Sequence, residues 1–597
     1  MSTFPWLTVT GAVPLVGALV IALTPGRSAP GGPADRRARD RLVKQIALAF
    51  SLITLALTIV IAVKFKAGGP RFQFQQVYQW IPQFGVHYAV GVDGIALVLI
   101  LMSAVLMPVV VLASWNDVED VTAATVAAST GPASTGAAST GGTPAAPGAR
   151  VPRTRSAKSY FAMMLVLETM IIGVFAATDV FLFYVFFEAM LVPMYFMIGS
   201  YGVGQRQYAA VKFLLYSLLG GLLMLVAVIA LYVYSTTGGH QGTFLFTQLS
   251  HLTLSHTTQD WLFLGFFIAF AIKAPLWPFH TWLPDAATSA QPGAAVLLVG
   301  VLDKVGTFGM IRYCLDLFPS AAHYFTPLVI VLSVVGILYG AIVAIGQADM
   351  KRLIAYTSVS HMGLITLGIF AMTSEGQTGA TLYMVNHGFA TGALFLLAGF
   401  MVSRRKSHLI ADYGGVQKVA PMLAGLFLVA GLAGLALPGL STFVSEFLVL
   451  VGTFTRYEAA AILATAGIIL AAIYILWMYQ RTMTGPVRPE VAHMPDLKAR
   501  ELWAVGPLIA LIVFLGVYPK PILDIINPAV HSTLVGVHST DPVPPHPASA
   551  PARPASTTSK VSSTRTIKTT STSKITSLDH HQHGQSRQIR RKQGSSA

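Results

Sequence analysis

The sequence predicts an all-α integral membrane protein of about fourteen transmembrane helices. Three observations carry that prediction. Of the 597 residues, 54% are hydrophobic and 11% are charged, whereas about a quarter are charged in a soluble domain. Apolar runs of roughly 20 residues recur along most of the chain, which is the length a helix needs to cross a bilayer; a β-barrel would show shorter alternating segments. Finally, two of the runs are broken in the middle by proline and glycine, a device tolerated in lipid only where the broken backbone meets protein or water.

The runs fall near 6–24, 44–63, 93–115, 159–177, 179–199, 210–234, 261–283, 293–316, 325–346, 352–372, 377–402, 421–452, 458–481 and 502–518. The first lacks a basic start and a small-residue cleavage site, so it is expected to be a retained helix. Residues 121–157 are Ala/Ser/Thr/Gly/Pro-rich, and 539–597 are Ser/Thr/Pro-rich and basic. Both are expected to be disordered, for want of apolar surface to bury. The organisation that follows is a three-helix segment with its insert (1–158), a five-helix unit (159–316), a second five-helix unit of similar size (325–481), a last helix and its extension (482–538) and the tail. The two central units are expected to be inverted repeats, with the discontinuous helices seven and twelve in matching positions.

Composition also excludes. With one cysteine, Cys314, no Cys-ligated iron–sulfur cluster and no internal disulfide can form. No GxGxxG or Walker A loop is present. The chain thus carries no visible cofactor or nucleotide machinery, and the histidines are too scattered for a metal site. The net charge of +15 comes largely from loop lysines and arginines such as "RRARDR" (36–41), "KR" (351–352) and "RRK" (404–406), and from the tail. It signals orientation, not nucleic acid. With these loops cytoplasmic, both termini lie outside.

Ionisable residues inside the runs need a reason, because each costs about 2.5–3.5 kcal/mol at a helix centre on insertion scales. They are Glu168, Glu188, Lys273, Asp303, Lys304 and Glu446, with His361 and His387. In "MMLVLETMIIGVFAATDVFLFYVFFEAMLVPMYF" (163–196) the turn signal is "AATD", where Thr178 or Asp179 can cap the next helix. Glu168 and Glu188 lie about ten residues either side of it, or roughly 15 Å, which is mid-membrane on antiparallel neighbours. Lys273, Lys304, His361 and His387 fall near the same depth. Each could serve packing alone, and Asp303, adjacent to Lys304 and so expected to point elsewhere, suits an ion pair with another helix.

The breaks sit beside these charges. "AIKAPLWPFHTWLPD" (271–285) places Pro275 and Pro278 just after Lys273; "GLAGLALPGLSTFVSEFLVLVG" (431–452) places Gly434, Pro438 and Gly439 before Glu446. Buried lysines, carboxylates and histidines at one depth, with broken helices to admit water, suit proton transfer.

At these residues the sequence resembles the antiporter-like membrane subunits of respiratory complex I, the NADH–quinone oxidoreductase. The resemblance rests on "FYVFFEAMLVPMYFMIG" (183–199), "IKAPLWPFHTWLPDA" (272–286), "DKVGTFGMIRY" (303–313), "KRLIAYTSVSHMGL" (351–364), "NHGFATGALF" (386–395) and "LPGLSTFVSEFLVLVGTF" (437–454). It covers about 1–525. M-type members match best, because Glu446 stands where L- and N-type members usually have lysine and no long lateral helix follows. The resemblance implies a proton-translocating subunit of a bacterial plasma-membrane complex, beside L- and N-type antiporter-like neighbours. NADH, FMN, iron–sulfur clusters and quinone would belong to partner subunits, with none in this chain. It further implies a relay of Glu188, Lys273, Lys304 and Glu446, joined by His280, His361 and His387; Glu168 and Asp303 would be secondary. Ala287 departs from the family, where "WLPDA" is usually followed by histidine. Two other readings stay open: a subunit of a multi-subunit sodium/proton antiporter, and a polytopic scaffold whose charges only hold helices together.

Overall fold

The computed structural model describes residues 4–25, 33–117, 156–237 and 241–542. Nearly all of the expected runs form helices, as they must where no water can satisfy the backbone. In chain order they are α1 (Trp6–Leu23), α2 (Pro33–Lys64), α3 (Gly94–Ala113), α4 (Ala157–Ala176), α5 (Val180–Ala189), α6 (Leu191–Tyr201), α7 (Arg206–Ser235), α8 (His256–Lys273), α9 (Trp282–Ser289), α10 (Pro292–Leu315), α11 (Pro319–Ile345), α12 (Met350–Phe370), α13 (Ser374–Arg405), α14 (Pro421–Gly434), α15 (Ser441–Phe454), α16 (Glu458–Met483), α17 (Ala499–Val517) and α18 (Lys520–Gly536).

Among the described residues, 12 helices are long and apolar enough to cross a membrane, α5 and α6 counting as one. The runs expected at 261–283 and 421–452 are not among them. Each is divided, into α8 and α9 and into α14 and α15. The expected total of fourteen is reached only if each divided pair is taken as one span.

The two divisions share a hydrogen-bond pattern. After α8, Ala274 N–H donates to Phe270, Leu276 to Ala271 and Phe279 to Leu276; after α14, Leu435 donates to Gly431, Leu437 to Leu432 and Leu440 to Leu437. In each, a carbonyl near the helix end is taken by a side chain of the second half. Trp282 Nε1 donates to Ile272 O at 2.8 Å, and Thr442 Oγ1 donates to Ala433 O. The matched bonds place Pro275 opposite Ala436, not opposite Pro438, so the prolines themselves are out of step by two residues.

A second pattern also occurs twice. Asp179 caps α5 by accepting from Leu182 N–H at 2.9 Å, and Asp349 caps α12 by accepting from Arg352 N–H at 3.0 Å. Around the first, Val180 N–H donates to Phe244 and Phe246 to Thr178; around the second, Met350 donates to His408 and Ile410 to Ala348.

Burial sorts the helices. The apolar windows of α10, α12 and α13 are 100%, 94% and 94% buried, against 28% for α2 and 33% for α16. A helix buried on every side belongs to the interior and an exposed apolar face belongs to lipid. Lys304, His361 and His387 therefore lie on the innermost helices.

Two elements escaped the sequence reading. β1 (Gln73–Ile81) and β2 (Val86–Val92) form an antiparallel hairpin. Then α18 follows α17, burying Ile526, Ala529, Val530, Thr533 and Leu534 at helical spacing. An ionic cluster ties these together. Arg312 of α10 pairs at 2.7 Å with Asp93, the cap of α3. Arg71, just before β1, pairs with Asp316 and reaches Thr533 of α18 at 3.4 Å.

The low-complexity insert lies outside the described residues except at its end, where Ala157 is buried in the first turn of α4. Of the tail, residues 543–597 lie outside them. Its first residues are held: Arg456 donates to Ser539 Oγ at 2.8 Å and to Thr540 O, and Ser374 N–H donates to Asp541 at 2.7 Å. Residues 539–541, beyond the expected boundary, are thus held by Arg456 and the start of α13.

Replacing Arg312 by methionine strands the buried Asp93 carboxylate and should destabilise the protein by about 3–5 kcal/mol. Adding Asp93→Asn, which keeps a cap for α3, should recover part of that loss. Unfolding in detergent measures both; a double variant no more stable than Arg312→Met alone rejects the pairing as the cause.

Candidate functional site

Most of the interior ionisable groups lie in a row on α10, α12, α13 and α15. A π-helical stretch, Leu298–Leu302, precedes Lys304 in α10. Such a stretch opens the helical ladder, and Lys304 Nζ donates to Val299 O inside it. The ammonium also meets Asp303 Oδ1 at 2.9 Å and His387 Nδ1 at 2.6 Å. Lys304 and Asp303 are both fully buried. This corrects the expectation that Asp303 pairs with another helix: its partner is its own neighbour, because the long lysine stem folds back over the π turn. With the lysine donating, the His387 ring carries its own hydrogen on Nε2.

From His387 the row continues to His361 on α12, whose ring lies 5.2 Å away. Tyr383, one helical turn before His387 on α13, is 5.7 Å from His361 and 6.3 Å from His387, ring to ring. Its hydroxyl donates to Glu446 Oε1 of α15. Asn386, between the two, donates to Ser441 O at 2.6 Å and to Ser445 Oγ at 3.3 Å, which fixes the start of α15 against α13. The spacing of Tyr383 and His387, four residues apart on one face, was the signal in the sequence that could have revealed Tyr383.

Glu188 and Lys273 form a second group. Each is the charged neighbour of the other, without a contact ion pair. Lys273 lies in the last turn of α8, where the helix end favours a cation. Its Nζ stands 4.5 Å above the Phe187 ring and has no hydrogen-bond partner. Glu188 fits because Gly221 of α7 leaves room: a β-carbon at 221 would collide with the carboxylate. The group borders the row, since Gly306 of α10 packs on the backbone of Ala274.

Two expected members stand apart. Both carboxylate oxygens of Glu168 lack hydrogen-bond partners, and no ion pair reaches them among the described residues. His280 lies 5.0 Å from the Tyr339 ring and 6.3 Å from that of Tyr356, with neither ring nitrogen bonded. Among the described residues no group of three His, Cys, Asp or Glu could hold a metal ion.

Comparison with known proteins identifies the family. Residues 177–473 match the family of NADH:quinone oxidoreductase/Mrp antiporter transmembrane proteins. The NADH-quinone oxidoreductase subunit M of Mycobacterium tuberculosis is 52% identical over 562 residues, covering 92% of this chain and 98% of its own. The chain belongs to the NADH-quinone oxidoreductase subunit M family. A chain of the respiratory complex I from Thermus thermophilus with bound NADH superposes with a TM-score of 0.74 at 29% identity, covering 89% of this chain and 99% of that one. A chain of the Mrp complex from Dietzia sp. shares the fold, with a TM-score of 0.70 at 21% identity and coverages of 90% and 100%. This subunit M family member is a multi-span membrane protein.

Ala287, the departure noted in the sequence, is fully buried in α9. The carbonyls around it are occupied by a residue that the sequence reading missed: Lys351 of α12 donates to Thr288 O at 2.7 Å and to Ala290 O at 2.6 Å. The polar end of α9 is thus held by a lysine from outside it.

An alanine at Gly221 must displace the end of the Glu188 side chain and should destabilise the protein by about 1 kcal/mol. The same change at Gly425 of α14, where a β-carbon meets open space, should be neutral or stabilising by up to about 1 kcal/mol. Thermal unfolding of the two variants checks the contrast; an equally stable Gly221→Ala removes the assigned role.

Proposed function

We propose that this chain translocates protons as a membrane-arm subunit of an NADH–quinone oxidoreductase. The observation that carries the reading is the row of buried groups from Lys304 through His387, His361 and Tyr383 to Glu446, hydrogen-bonded at its two ends and in ring-to-ring proximity between them. It joins a cation, two imidazoles, a phenol and a carboxylate, all buried, through groups that can each hold or pass a proton.

Glu188 and Lys273 act upstream. When the carboxylate approaches, it stabilises the ammonium; when it withdraws, the buried ammonium is favoured less and a proton moves on towards Lys304. The divided helices serve the same end, since their freed backbone groups meet protein side chains rather than lipid and leave polar surface at mid-membrane. Glu168, Asp303 and His280 are secondary; Asp303 holds Lys304 in place.

The matched bonds around α5 and α12, and after α8 and α14, support two inverted repeats spanning 159–316 and 325–481 within the organisation given above. The lysine and arginine bias supports a cytoplasmic α1–α2 connection, outer termini and residence in the bacterial plasma membrane. The partners are the other membrane-arm subunits, L- and N-type among them. The redox groups, NADH, FMN, iron–sulfur clusters and quinone, sit in other subunits.

The complex reconstituted in vesicles tests this. Lys273→Ala and Glu446→Gln should each leave flavin and iron–sulfur content intact while cutting NADH-driven proton uptake by about a hundredfold or more, the scale of losing a positioned proton-transfer group. Unchanged uptake in both variants would favour a scaffold. Purification without flavin and iron–sulfur partners would favour an antiporter assembly.

A further inference from the structure

Glu446 has two phenols within its surroundings, and they are not alike. Tyr383 of α13 donates to Glu446 Oε1 on the side of the row. Tyr474 of α16 is 1% exposed, lines the same cleft as Glu446, and its hydroxyl has no hydrogen-bond partner. An unpartnered buried hydroxyl costs about 1–3 kcal/mol, so one beside a carboxylate invites explanation. A narrow cleft supplies it. Between α11, α12, α15 and α16 it is lined by Ser360, His361, Glu446, Gly467 and Tyr474. Glu446 thus stands between Tyr383 and the cleft, which His361 of the row also lines.

We propose that Tyr383 and Tyr474 are the two docking positions of a mobile Glu446 carboxyl, which carries the proton from the row to the cleft. This rests on the reading of Glu446 as a relay carboxylate. In the first position the carboxylate accepts from Tyr383. A proton arrives from the imidazolium of His361; that N–H bond breaks and a carboxyl O–H bond forms. Neutral, the carboxyl no longer draws the Tyr383 hydroxyl as strongly, because hydrogen bonds to charged groups are about twice as strong as neutral ones. It turns and donates its O–H to the free Tyr474 oxygen. There it releases the proton to water in the cleft and, charged again, returns to Tyr383. Tyr474 is a positioning residue in this scheme: it neither gains nor loses a proton overall.

The test uses the whole complex in vesicles, with assembly judged by flavin content. Phenylalanine keeps the ring and removes the hydroxyl, so packing is conserved. Infrared difference spectra, taken against Glu446→Gln, isolate the carbonyl stretch of protonated Glu446. Two bands are expected in the unaltered protein, one for each hydrogen-bonding position. Tyr474→Phe should abolish one band and slow coupled proton translocation about tenfold, the kinetic equivalent of one hydrogen bond. Tyr383→Phe should abolish the other. A Tyr474→Phe complex with both bands and unaltered translocation overturns the proposal. If Glu446→Gln itself pumps normally, the relay reading fails; if it stops pumping while Tyr474→Phe does not, only the two-position scheme fails.

Discussion

A lysine ammonium with no exposure to solvent must place its protons on protein acceptors or lose its charge. At Lys304 the acceptors are Val299 O, Asp303 and His387. That arrangement dictates much around it. The π turn in α10 leaves Val299 O available, α13 must approach closely enough to bring His387 within 2.6 Å, and Asp303 must turn inward. Once His387 is fixed, its helix fixes Tyr383, and Tyr383 fixes Glu446. This part of the interior is organised about the Lys304 ammonium.

The divided helices follow from the same constraint. Backbone freed in a membrane has to be satisfied by something other than lipid. Trp282 takes Ile272 O and Thr442 takes Ala433 O. Different residue types serve one geometric purpose in the two places, so the likeness is visible in hydrogen bonds where the side chains differ. The long outer helices α2, α7 and α16 carry the lipid-facing surface and shield this interior.

Much of this was legible in the sequence, for physical reasons. Long apolar runs have a single low-energy form in a bilayer, so the helices and both interruptions could be placed from composition. Lys273, Lys304, His361, His387 and Glu446 announced themselves because charge in an apolar run is expensive. Other features were hidden. Tyr383 is betrayed only by its four-residue spacing from His387, and Tyr474 by nothing local: geometry alone puts its phenol beside the cleft that Glu446 lines. The pairing of Asp303 with Lys304 depends on a π turn that no local pattern signals. The β1–β2 hairpin lies between spans where hydropathy is uninformative. Helix α18 reads as a polar extension until its buried face is matched to α3 and α13.

The two interruptions are alike in hydrogen bonding and unlike in charge. At corresponding places, α8 ends on Lys273 and α14 ends on Gly434, a residue whose backbone faces His361. A helix C-terminus is the negative end of its dipole. In the first half that end is covered by a cation; in the second no cation covers it, Thr442 takes Ala433 O, and an imidazole lies beside it. The interior is therefore electrically lopsided. The two helix ends present unlike potentials to the buried groups between them, one offset by an ammonium and the other not.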